Sequence, residues 1–352
     1  MSLSAFVAYY FLQLVFYNQS CTPYFAAYNL FMHSFQELIV AFKKRFEANH
    51  FPAEPASLYE PGTYFLNIGG KRIRPVLCLM ANELFDTITP DAWHVATAIE
   101  LFHNFTLIHD DMMDKAPLRR GLPTVHTKYG DSTALLAGDV MLIVAYEYLN
   151  KINPPYLQRI IGIFNQTAKQ VCEGQQLDMD FEKQNDVQPD DYLHMIELKT
   201  SVLLAASLEM GAILGGASAR NCQHMYELGR NLGIAFQIQD DYLDAFGDPE
   251  KFGKDVGGDI RQNKKTFLLL HALHHANTAQ RAELQQLMQS NAADKVEKVL
   301  AIYRTCNVDS WAKDFKEKYV TKALQHLEDV AVVSSRKKSL QELTDYLISR
   351  DS

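Results

Sequence analysis

The stretch AWHVATAIELFHNFTLIHDDMMD, residues 92–114, decides the fold of this chain. Most of it is apolar on nearly every side, which is typical of a helix in the interior of a helical bundle. The stretch then ends in Asp110, Asp111 and Asp114. The helix dipole disfavours carboxylates at a helix C-terminus. A functional role is therefore favoured over the alternative, a solvated acidic helix end.

A second aspartate cluster follows far along the chain. The segment GIAFQIQDDYLD, residues 233–244, contains Asp240, Asp241 and Asp244. Helical residues three and four apart share a face, so each DDxxD directs at least two carboxylates the same way. Carboxylates this close repel one another unless a cation lies between them, and hard oxygen ligands suit Mg²⁺. Two such clusters facing each other predict a clamp for a diphosphate.

Composition narrows the fold and the partners. Of the 352 residues, 47% are hydrophobic and 22% charged, which is ordinary for a soluble globular protein. Glycine and proline are few and no alternating β-branched run predicts a sheet, so we expect an all-α fold. The net charge of −8 argues against nucleic-acid binding. Five scattered cysteines without a CxxC pair indicate a reducing compartment, and we expect a cytoplasmic protein.

The N-terminal residues differ from the rest. Residues 1–31 are apolar and aromatic but lack the positive region of a signal peptide. The apolar run at 5–17 is shorter than the roughly 20 residues of a membrane span, so no stable span is expected. We expect residues 1–31 to be an N-terminal extension, either an extra helix or sequence ahead of a true start near Met32. Residues 32–352 are predicted to form a single all-α domain.

Helical spacing predicts the later elements. Gly62, Gly69 and Gly70 are expected to interrupt the chain before the helix that starts at RIRP. Further helices are predicted near 155–183, 189–214, 217–244, 262–276, 279–302, 308–333 and 338–349.

Basic residues cluster where a second diphosphate needs them. GGKRIRP, residues 69–75, places Lys71 and Arg74 three apart at a glycine-rich helix start. Backbone N–H groups, a helix N-terminus and two cations together favour phosphate. Arg119 and Arg120 follow the first aspartates, and the planar fork of arginine suits bidentate phosphate contact. Further candidates are Lys199, Lys254 and Lys264.

Taken together, these motifs resemble the trans-isoprenyl diphosphate synthases, or polyprenyl synthetases, a family of all-α prenyltransferases. The resemblance begins near residue 40 and leaves residues 1–31 outside. It rests on ordered segments: GGKRIRP (69–75), FHNFTLIHDDMMDKAPLRRGLPTVH (102–126), AGD (137–139), EGQQLD (173–178), ELKT (197–200), GIAFQIQDDYLD (233–244) and FGKDVGGDIRQNKKT (252–266). It implies an isoprenoid-synthase-type helical bundle around a central cavity.

The family's activity and cofactor follow from the resemblance as expectations. Members condense isopentenyl diphosphate head to tail with an allylic diphosphate (dimethylallyl, geranyl or farnesyl). Three Mg²⁺ ions, or Mn²⁺ in their place, are expected, and the chain is expected to form a homodimer. The implied metal ligands are Asp110 and Asp114, supported by Asp111, together with Asp240 and the neighbouring Asp241 and Asp244.

The resemblance also implies the substrate ligands. Those for the allylic diphosphate are Arg119, Lys199, Lys254 and Lys264. Those for isopentenyl diphosphate are Lys71, Arg74, His103 and Arg120. The groups facing the developing allylic cation are the Gln237 amide, the Thr200 hydroxyl and the Lys199 carbonyl, with Gln175 and Asp178 lining the same cavity.

Product length is expected to depend on residues just ahead of Asp110. Phe105 and Thr106 lie five and four positions before it, and Phe102 lies further down the same tunnel. Within the family, one aromatic residue followed by threonine favours a C20 product, with C15 second. The alternative is that Phe105 is ordinary core packing.

Two other functions remain as alternatives. A terpene cyclase shares the all-α fold but normally lacks GGKRIRP and the second DDxxD. A non-catalytic regulatory subunit of a heteromeric prenyl synthase keeps the fold but tends to lose aspartates or the basic motif. This sequence retains all of these motifs.

Overall fold

The computed structural model describes residues 32–47, 49–184, 186–247 and 256–348. Two sequence predictions, the extension at 1–31 and the candidate Lys254, lie outside these residues. From His33 onward the described residues belong to one compact unit. Helices dominate this unit, which confirms the all-α prediction.

The helices follow one another through short connections. Their bounds are α1 Phe35–Phe46, α2 Ala56–Asn67, α3 Ile73–Phe85, α4 Pro90–Met113, α5 Val125–Tyr129, α6 Asp131–Leu149, α7 Pro154–Lys183, α8 Pro189–Ile196, α9 Val202–Leu214, α10 Ala219–Phe246, α11 Gly258–Arg261, α12 Phe267–His275, α13 Thr278–Leu287, α14 Lys295–Thr305, α15 Val308–Asp329 and α16 Ser334–Ile348. Between α4 and α5, β1 (Leu118–Arg119) pairs antiparallel with β2 (Leu122–Pro123).

Helix α9 forms the centre of the bundle. Its sequence VLLAASLEMGAIL is apolar all round, and almost every residue in it is buried. It packs against α3, α10, α7 and α4. Both aspartate-bearing helices, α4 and α10, therefore contact the same central helix, as expected of a bundle whose interior helix has no polar face.

A π-helical turn at Glu197–Ser201 joins α8 to α9. The prediction of one continuous helix over 189–214 therefore holds in outline, with a wider turn in its middle. Helix α7 packs directly against this turn. The contact is so close that a Cβ on Gly174 would lie 2.3 Å from the Lys199 backbone nitrogen. Isolated π turns are frequent at functional sites. Here the turn carries Lys199 and Thr200, and the absence of a side chain at Gly174 lets α7 approach the Lys199 backbone.

One predicted helix is broken in the structure, and another begins later than predicted. The predicted helix 279–302 is in fact α13 and α14, with a break after Leu287. In the break, the Ser290 hydroxyl accepts a hydrogen bond from the Ala292 backbone N–H at 3.0 Å. Such local side-chain bonds compete with helix formation. The predicted helix 262–276 begins only at Phe267, because Thr266 is its N-cap and Asn263 is left-handed with φ 61°.

The predicted interruption at Gly62 is also wrong. Gly62 lies inside α2 and is buried. A Cβ at this position would lie 3.2 Å from the Phe51 ring, so the residue allows close packing instead of ending the helix. The interruption expected at Gly69 and Gly70 is present, since both have positive φ and precede α3.

Helix α6 is the one helix of the described residues that is long and apolar enough to cross a membrane. It packs along α4 within the bundle. Its other side carries the exposed side chains of Leu135, Leu136 and Ile143.

Candidate active site

Three cavities lie in a row through the bundle. The first, of ≈ 450 Å³, borders the GGKRIRP turn and is lined by several basic side chains. The second, of ≈ 360 Å³, shares Arg74 and His103 with the first and lies mainly between α4 and α7. The third, of ≈ 140 Å³, shares Lys199 and Thr200 with the second. Each cavity therefore adjoins the next through two residues that the sequence predicts to bind substrate.

The first aspartate cluster lies where α4 ends and divides into two kinds of carboxylate. Asp111 is buried, and Arg119 Nε donates to its two oxygens at 2.9 and 2.8 Å. Asp110 lines the second cavity and Asp114 the third. Desolvation and repulsion from Asp110 raise the pKa of Asp114. Asp111 therefore orients Arg119, while Asp110 and Asp114 face the space where a ligand would lie.

In the second cluster, the buried Asp241 is held by protein donors. The Tyr192 hydroxyl donates to its Oδ2 at 2.6 Å, and Gln237 Nε2 donates to its Oδ1 at 3.0 Å. Burial, together with the nearby charge of Asp259, raises the pKa of Asp241 to about 8. Both oxygens of Asp241 thus already accept hydrogen bonds in this conformation.

The other two carboxylates of the second cluster, Asp244 and Asp240, have different surroundings. Asp244 Oδ2 accepts a hydrogen bond from the Asp259 backbone N–H at 3.0 Å, which connects α10 to the start of α11. Asp240 lies close enough to Arg74 to favour the charged form of that guanidinium. Asp240 therefore places the second cluster near Arg74, which lines the first cavity.

Lys199 joins the first cluster to α7. Its Nζ donates to Asp178 Oδ2 at 2.6 Å and lies 3.4 Å from Asp110 Oδ1. Burial alone would lower its pKa, but Asp110 and Asp178 outweigh it and raise the pKa of Lys199. Lys199 is therefore a permanent cation between the second and third cavities.

The remaining predicted groups lie around the same junction. The Thr200 hydroxyl donates to Gln237 Oε1 at 3.3 Å, so both dipoles lie beside Lys199. Gln175 lines the second cavity. Lys264 lines the third cavity, with its Nζ 3.8 Å from Asp259. Despite burial, Asp259 and other carboxylates raise the pKa of Lys264, which keeps it charged.

At the first cavity, Arg74 and His103 form a pair. Arg74 Nη1 donates to His103 Nε2 at 3.2 Å. Burial lowers the pKa of Arg74 to about 10, although Glu100 and Asp240 oppose this, so the guanidinium stays charged at neutral pH. Burial and the neighbouring arginines lower the pKa of His103 well below 6.5, so the imidazole is neutral. Lys71 and Arg120 line the same cavity.

Arg72, which the sequence reasoning did not select, holds the GGKRIRP turn in place. It has a left-handed backbone, with φ 55°, and its side chain is buried. The guanidinium donates to Glu100 and, at 2.9 Å, to the Leu66 carbonyl. Asn104 donates to the same Glu100 oxygen at 3.0 Å. From its place in a basic motif, Arg72 would be predicted to bind phosphate. Its ion pair with the buried Glu100 on α4 shows that it also has a structural role.

Two further residues were missed for similar reasons. Tyr192 donates to Asp241 from another helix, and no local pattern marks it. Lys265, next to Lys264, donates to the Phe181 carbonyl at 2.6 Å and so caps the end of α7. Two adjacent lysines at 264–265 are a sequence signal for both residues, and in the structure Lys264 lines the third cavity while Lys265 binds the end of α7.

The residues predicted to limit product length line the second cavity in part. Phe105 and Thr106 both border it. Phe102 is buried behind Phe105, with ring centroids 5.7 Å apart, and its ring also packs against Phe164 at 5.2 Å. Phe105 and Thr106 therefore line the cavity as predicted, whereas Phe102 supports the Phe105 ring from behind and is not among the lining residues.

The aspartates fit a divalent cation by their donor chemistry. In the described part of the chain, no three acidic, histidine or cysteine side chains converge on one point. Asp110 Oδ1 is nevertheless buried and accepts no hydrogen bond from any described residue, although the Lys199 ammonium lies 3.4 Å from it. Hard divalent cations such as Mg²⁺ bind carboxylate oxygens of this kind. The residues that would hold the cation are Asp110, Asp114 and Asp240.

A cavity of ≈ 510 Å³ elsewhere is a poor candidate for a diphosphate. It lies between α1 and α2 and is bordered by Phe46, Phe51 and Tyr59, with Glu47 and Glu60 at its edge. Among the described residues, no lysine or arginine lines it. Carboxylates without basic partners would repel an anionic ligand.

Comparison with known proteins agrees with this geometry. The sequence pattern of the family described as polyprenyl synthetase matches residues 55–306. Geranylgeranyl diphosphate synthase of Methanosarcina mazei is 37% identical over 300 residues, covering 84% of this chain and 91% of that protein. Geranylfarnesyl diphosphate synthase of Natronomonas pharaonis is 34% identical over 317 residues, covering 84% and 91%. A crystal structure of a geranylgeranyl pyrophosphate synthase has 42% identity and a TM-score of 0.87, covering 91% of this chain and all of its own.

The chain belongs to the polyprenyl synthetase family. The fold class predicted from the sequence, an isoprenoid-synthase-type helical bundle, is confirmed, and so is the resemblance to short-chain trans-prenyltransferases.

Proposed function

We propose that this chain condenses isopentenyl diphosphate head to tail with an allylic diphosphate, in the presence of Mg²⁺, to give a short-chain all-trans prenyl diphosphate. The expected allylic substrates are dimethylallyl, geranyl and farnesyl diphosphate. The best candidate for the product is geranylgeranyl diphosphate (C20), followed by farnesyl diphosphate (C15).

One observation carries this proposal. The second cavity is mainly apolar, yet three buried polar atoms without a hydrogen-bond partner among the described residues belong to side chains that line it: Arg74 Nε, Asp110 Oδ1 and Gln175 Nε2. Buried polar groups are normally hydrogen-bonded, and a group without a protein partner is available to a water, an ion or a ligand. A ligand with an apolar body and charged ends satisfies both properties of this cavity, and a prenyl diphosphate is such a ligand.

The residues divide into roles along the row of cavities. Lys71, Arg74 and Arg120 would bind isopentenyl diphosphate in the first cavity and present its double bond to the second. Lys199, Lys264 and Arg119 would bind the allylic diphosphate near the third, and Lys254 remains a candidate for the same role. Holding the two reactants in contact lowers the activation barrier, because the entropy cost of bringing them together has already been met on binding.

Ionisation of the allylic carbon–oxygen bond needs charge stabilisation at both ends. Bound Mg²⁺ ions would neutralise the diphosphate and make it a better leaving group. The Gln237 amide, the Thr200 hydroxyl and the Lys199 carbonyl would face the allylic cation with their negative ends. The isopentenyl double bond attacks this cation, and the departed diphosphate takes the proton that is then lost. Since the His103 imidazole is neutral, Arg74 is the only charged member of the Arg74–His103 pair near the allylic cation.

Product length would be limited by the aromatic end of the second cavity. Phe105 lines this cavity and is supported from behind by Phe102. The relatives' names span geranylgeranyl and geranylfarnesyl products. An aromatic residue at Phe105 next to the smaller Thr106 supports a product at the short end of that range.

Purified chain incubated with isopentenyl diphosphate, Mg²⁺ and each allylic substrate separately tests the proposal. We expect diphosphate release and a prenyl diphosphate identified by mass spectrometry, both abolished by EDTA and restored by Mg²⁺. Release of diphosphate from an allylic substrate alone, with a hydrocarbon product, would indicate a terpene cyclase. Activity only after addition of a second, catalytic chain would indicate a regulatory subunit.

A homodimer and a cytoplasmic location complete the proposal. The apolar side chains Leu135, Leu136 and Ile143 on α6 are 48%, 54% and 57% exposed, and a second copy would bury them. Light scattering of wild-type protein against Leu136→Glu tests this, since a charge in the interface should yield monomers. The scattered cysteines support the cytoplasmic location, which fractionation of the native host would test.

A further inference from the structure

The AGD motif at residues 137–139 has no role in the chemistry described above. In the structure its glycine lies directly under the side chain of His109. A Cβ on Gly138 would lie 2.3 Å from His109 Nε2 and 2.6 Å from Cδ2. No side chain fits in that space, so the backbone of α6 itself forms the seat of the imidazole.

A hydrogen bond fixes the imidazole in this seat. His109 Nε2 lies 3.1 Å from the Leu135 carbonyl oxygen, so the ring donates its Nε2–H to α6. The Asp139 carboxylate lies 3.9 Å from the same nitrogen. His109 is therefore held between α4, which carries it, and the backbone of α6.

On its other side His109 meets the second cavity. Both His109 and Phe105 line this cavity. They are one helical turn apart on α4, and their rings contact edge to face with centroids 4.8 Å apart. The imidazole thus fills the space between the Phe105 ring and α6. With the imidazole absent, Phe105 could turn toward α6 and the cavity would extend in that direction.

We propose that His109, seated on Gly138, is a second residue that limits product length, by bracing Phe105 and by closing the cavity on the side of α6. This inference rests on the proposed prenyltransferase function. It assigns to the AGD glycine a positioning role, exerted through His109, and no contact with substrate.

Two substitutions should change product length in opposite directions. His109→Ala removes the brace and should lengthen the main product by at least one isoprene unit. Gly138→Ala adds a methyl group where the imidazole lies and should move the ring toward the cavity, which shortens the main product or lowers its share. Product length is the readout because His109 adjoins Asp110, and a change in rate alone would be ambiguous.

The double variant His109→Ala/Gly138→Ala separates this role from general damage to the fold. Without the imidazole the added methyl group has space, so the double variant should make the same products as His109→Ala. Gly162→Ala is the matched control, since it is a helical glycine on α7 with nothing within 4 Å of an added Cβ. Its products should be those of the wild type.

The experiment is product analysis by mass spectrometry of the five purified proteins with isopentenyl and dimethylallyl diphosphates. An active wild type whose product length is unchanged in both His109→Ala and Gly138→Ala overturns this inference alone. An inactive wild type overturns the proposed function, and the inference with it. If Gly138→Ala does not fold, His109→Ala decides the outcome.

Discussion

Arg72 forms a buried ion pair with Glu100, and this pair connects the GGKRIRP turn to the helix that carries the first aspartates. Both side chains are almost fully buried. The Arg72 guanidinium also lies over the Phe46 ring, 4.9 Å from its centroid. Arg74, two residues on, takes its position in the first cavity from the same turn. The pair therefore forms part of the wall of the first cavity, the proposed binding site for isopentenyl diphosphate, and holds that wall in place.

Glu100→Gln should weaken both the fold and that binding site. Leaving one member of a buried ion pair without its partner costs about 3–5 kcal/mol, and the neutral amide that remains places the loss near the lower end. We expect a lower free energy of unfolding in urea and a roughly tenfold higher KM for isopentenyl diphosphate. The KM for the allylic substrate should change less. Glu60→Gln, an exposed residue of α2, is the control for the loss of one negative charge.

Asp110→Ala and Asp240→Ala should each reduce kcat by roughly a thousandfold, equivalent to ~4 kcal/mol of transition-state stabilisation. The reason is that each removes a carboxylate from the proposed divalent-cation site. Circular dichroism and urea unfolding should remain close to those of the wild type, because neither side chain belongs to the core. Asp345→Ala, on the exposed face of α16, should leave kcat unchanged. Near-normal turnover in both site variants would refute the aspartate clamp.

Phe105→Ala should lengthen the product. The substitution removes the aromatic ring that lines the second cavity, while the buried Phe102 stays in place behind it. We expect the main product to gain at least one isoprene unit, measured by mass spectrometry. Phe164→Leu, in the aromatic cluster behind the cavity, tests whether a loosened core produces the same effect. An unchanged product in Phe105→Ala would assign Phe105 to core packing alone.

His271 should make the protein less stable in weak acid. Burial, with His275 and His274 nearby, lowers its pKa from 6.5 to about 4, and its ring stacks on Trp311 at 3.5 Å between centroids. Well above pH 6.5 the residue is neutral in both the folded and the unfolded state and contributes no pH dependence. As the pH falls from 6.5 toward 4, the unfolded state binds more protons, so the free energy of unfolding decreases, by about 2 kcal/mol for this residue.

Urea unfolding at pH 7 and pH 5 checks this expectation. His271→Gln should lose less stability between the two pH values than the wild type does. His274→Gln, an exposed neighbour on the same helix, should behave like the wild type. Equal pH dependence in His271→Gln and wild type would remove His271 as a source of acid sensitivity.

Local patterns predicted the helices where they were long and regular. The apolar run into Asp110 indicated an interior helix, and α4 is one. The prediction failed at 279–302, where the Ser290 turn interrupts the helix, and at Gly62, where packing against Phe51 uses the glycine inside a helix. In both places the structure shows a contact that periodicity does not report.

The candidate residues were found from the sequence because their types and spacings are local. Lys199, Asp178 and Asp110 were selected from three separate motifs, and the structure brings their side chains together. Their distinct surroundings were not predictable. Asp240 and Asp241 are adjacent in the chain, yet Tyr192, 49 residues from Asp241, donates its hydroxyl hydrogen bond to Asp241.

The sequence by itself determined that this chain is a helical bundle with two carboxylate clusters and a basic turn, because helix periodicity and residue chemistry act over a few positions. The tertiary structure alone decided which of these charged groups face a cavity and which are buried against a partner. Arg72 and Arg74 both border the first cavity, but Glu100, 28 residues from Arg72, forms an ion pair with Arg72, whereas Arg74 also lines the second cavity. Burial and counter-charge are properties of packing, and packing joins residues that no local pattern relates.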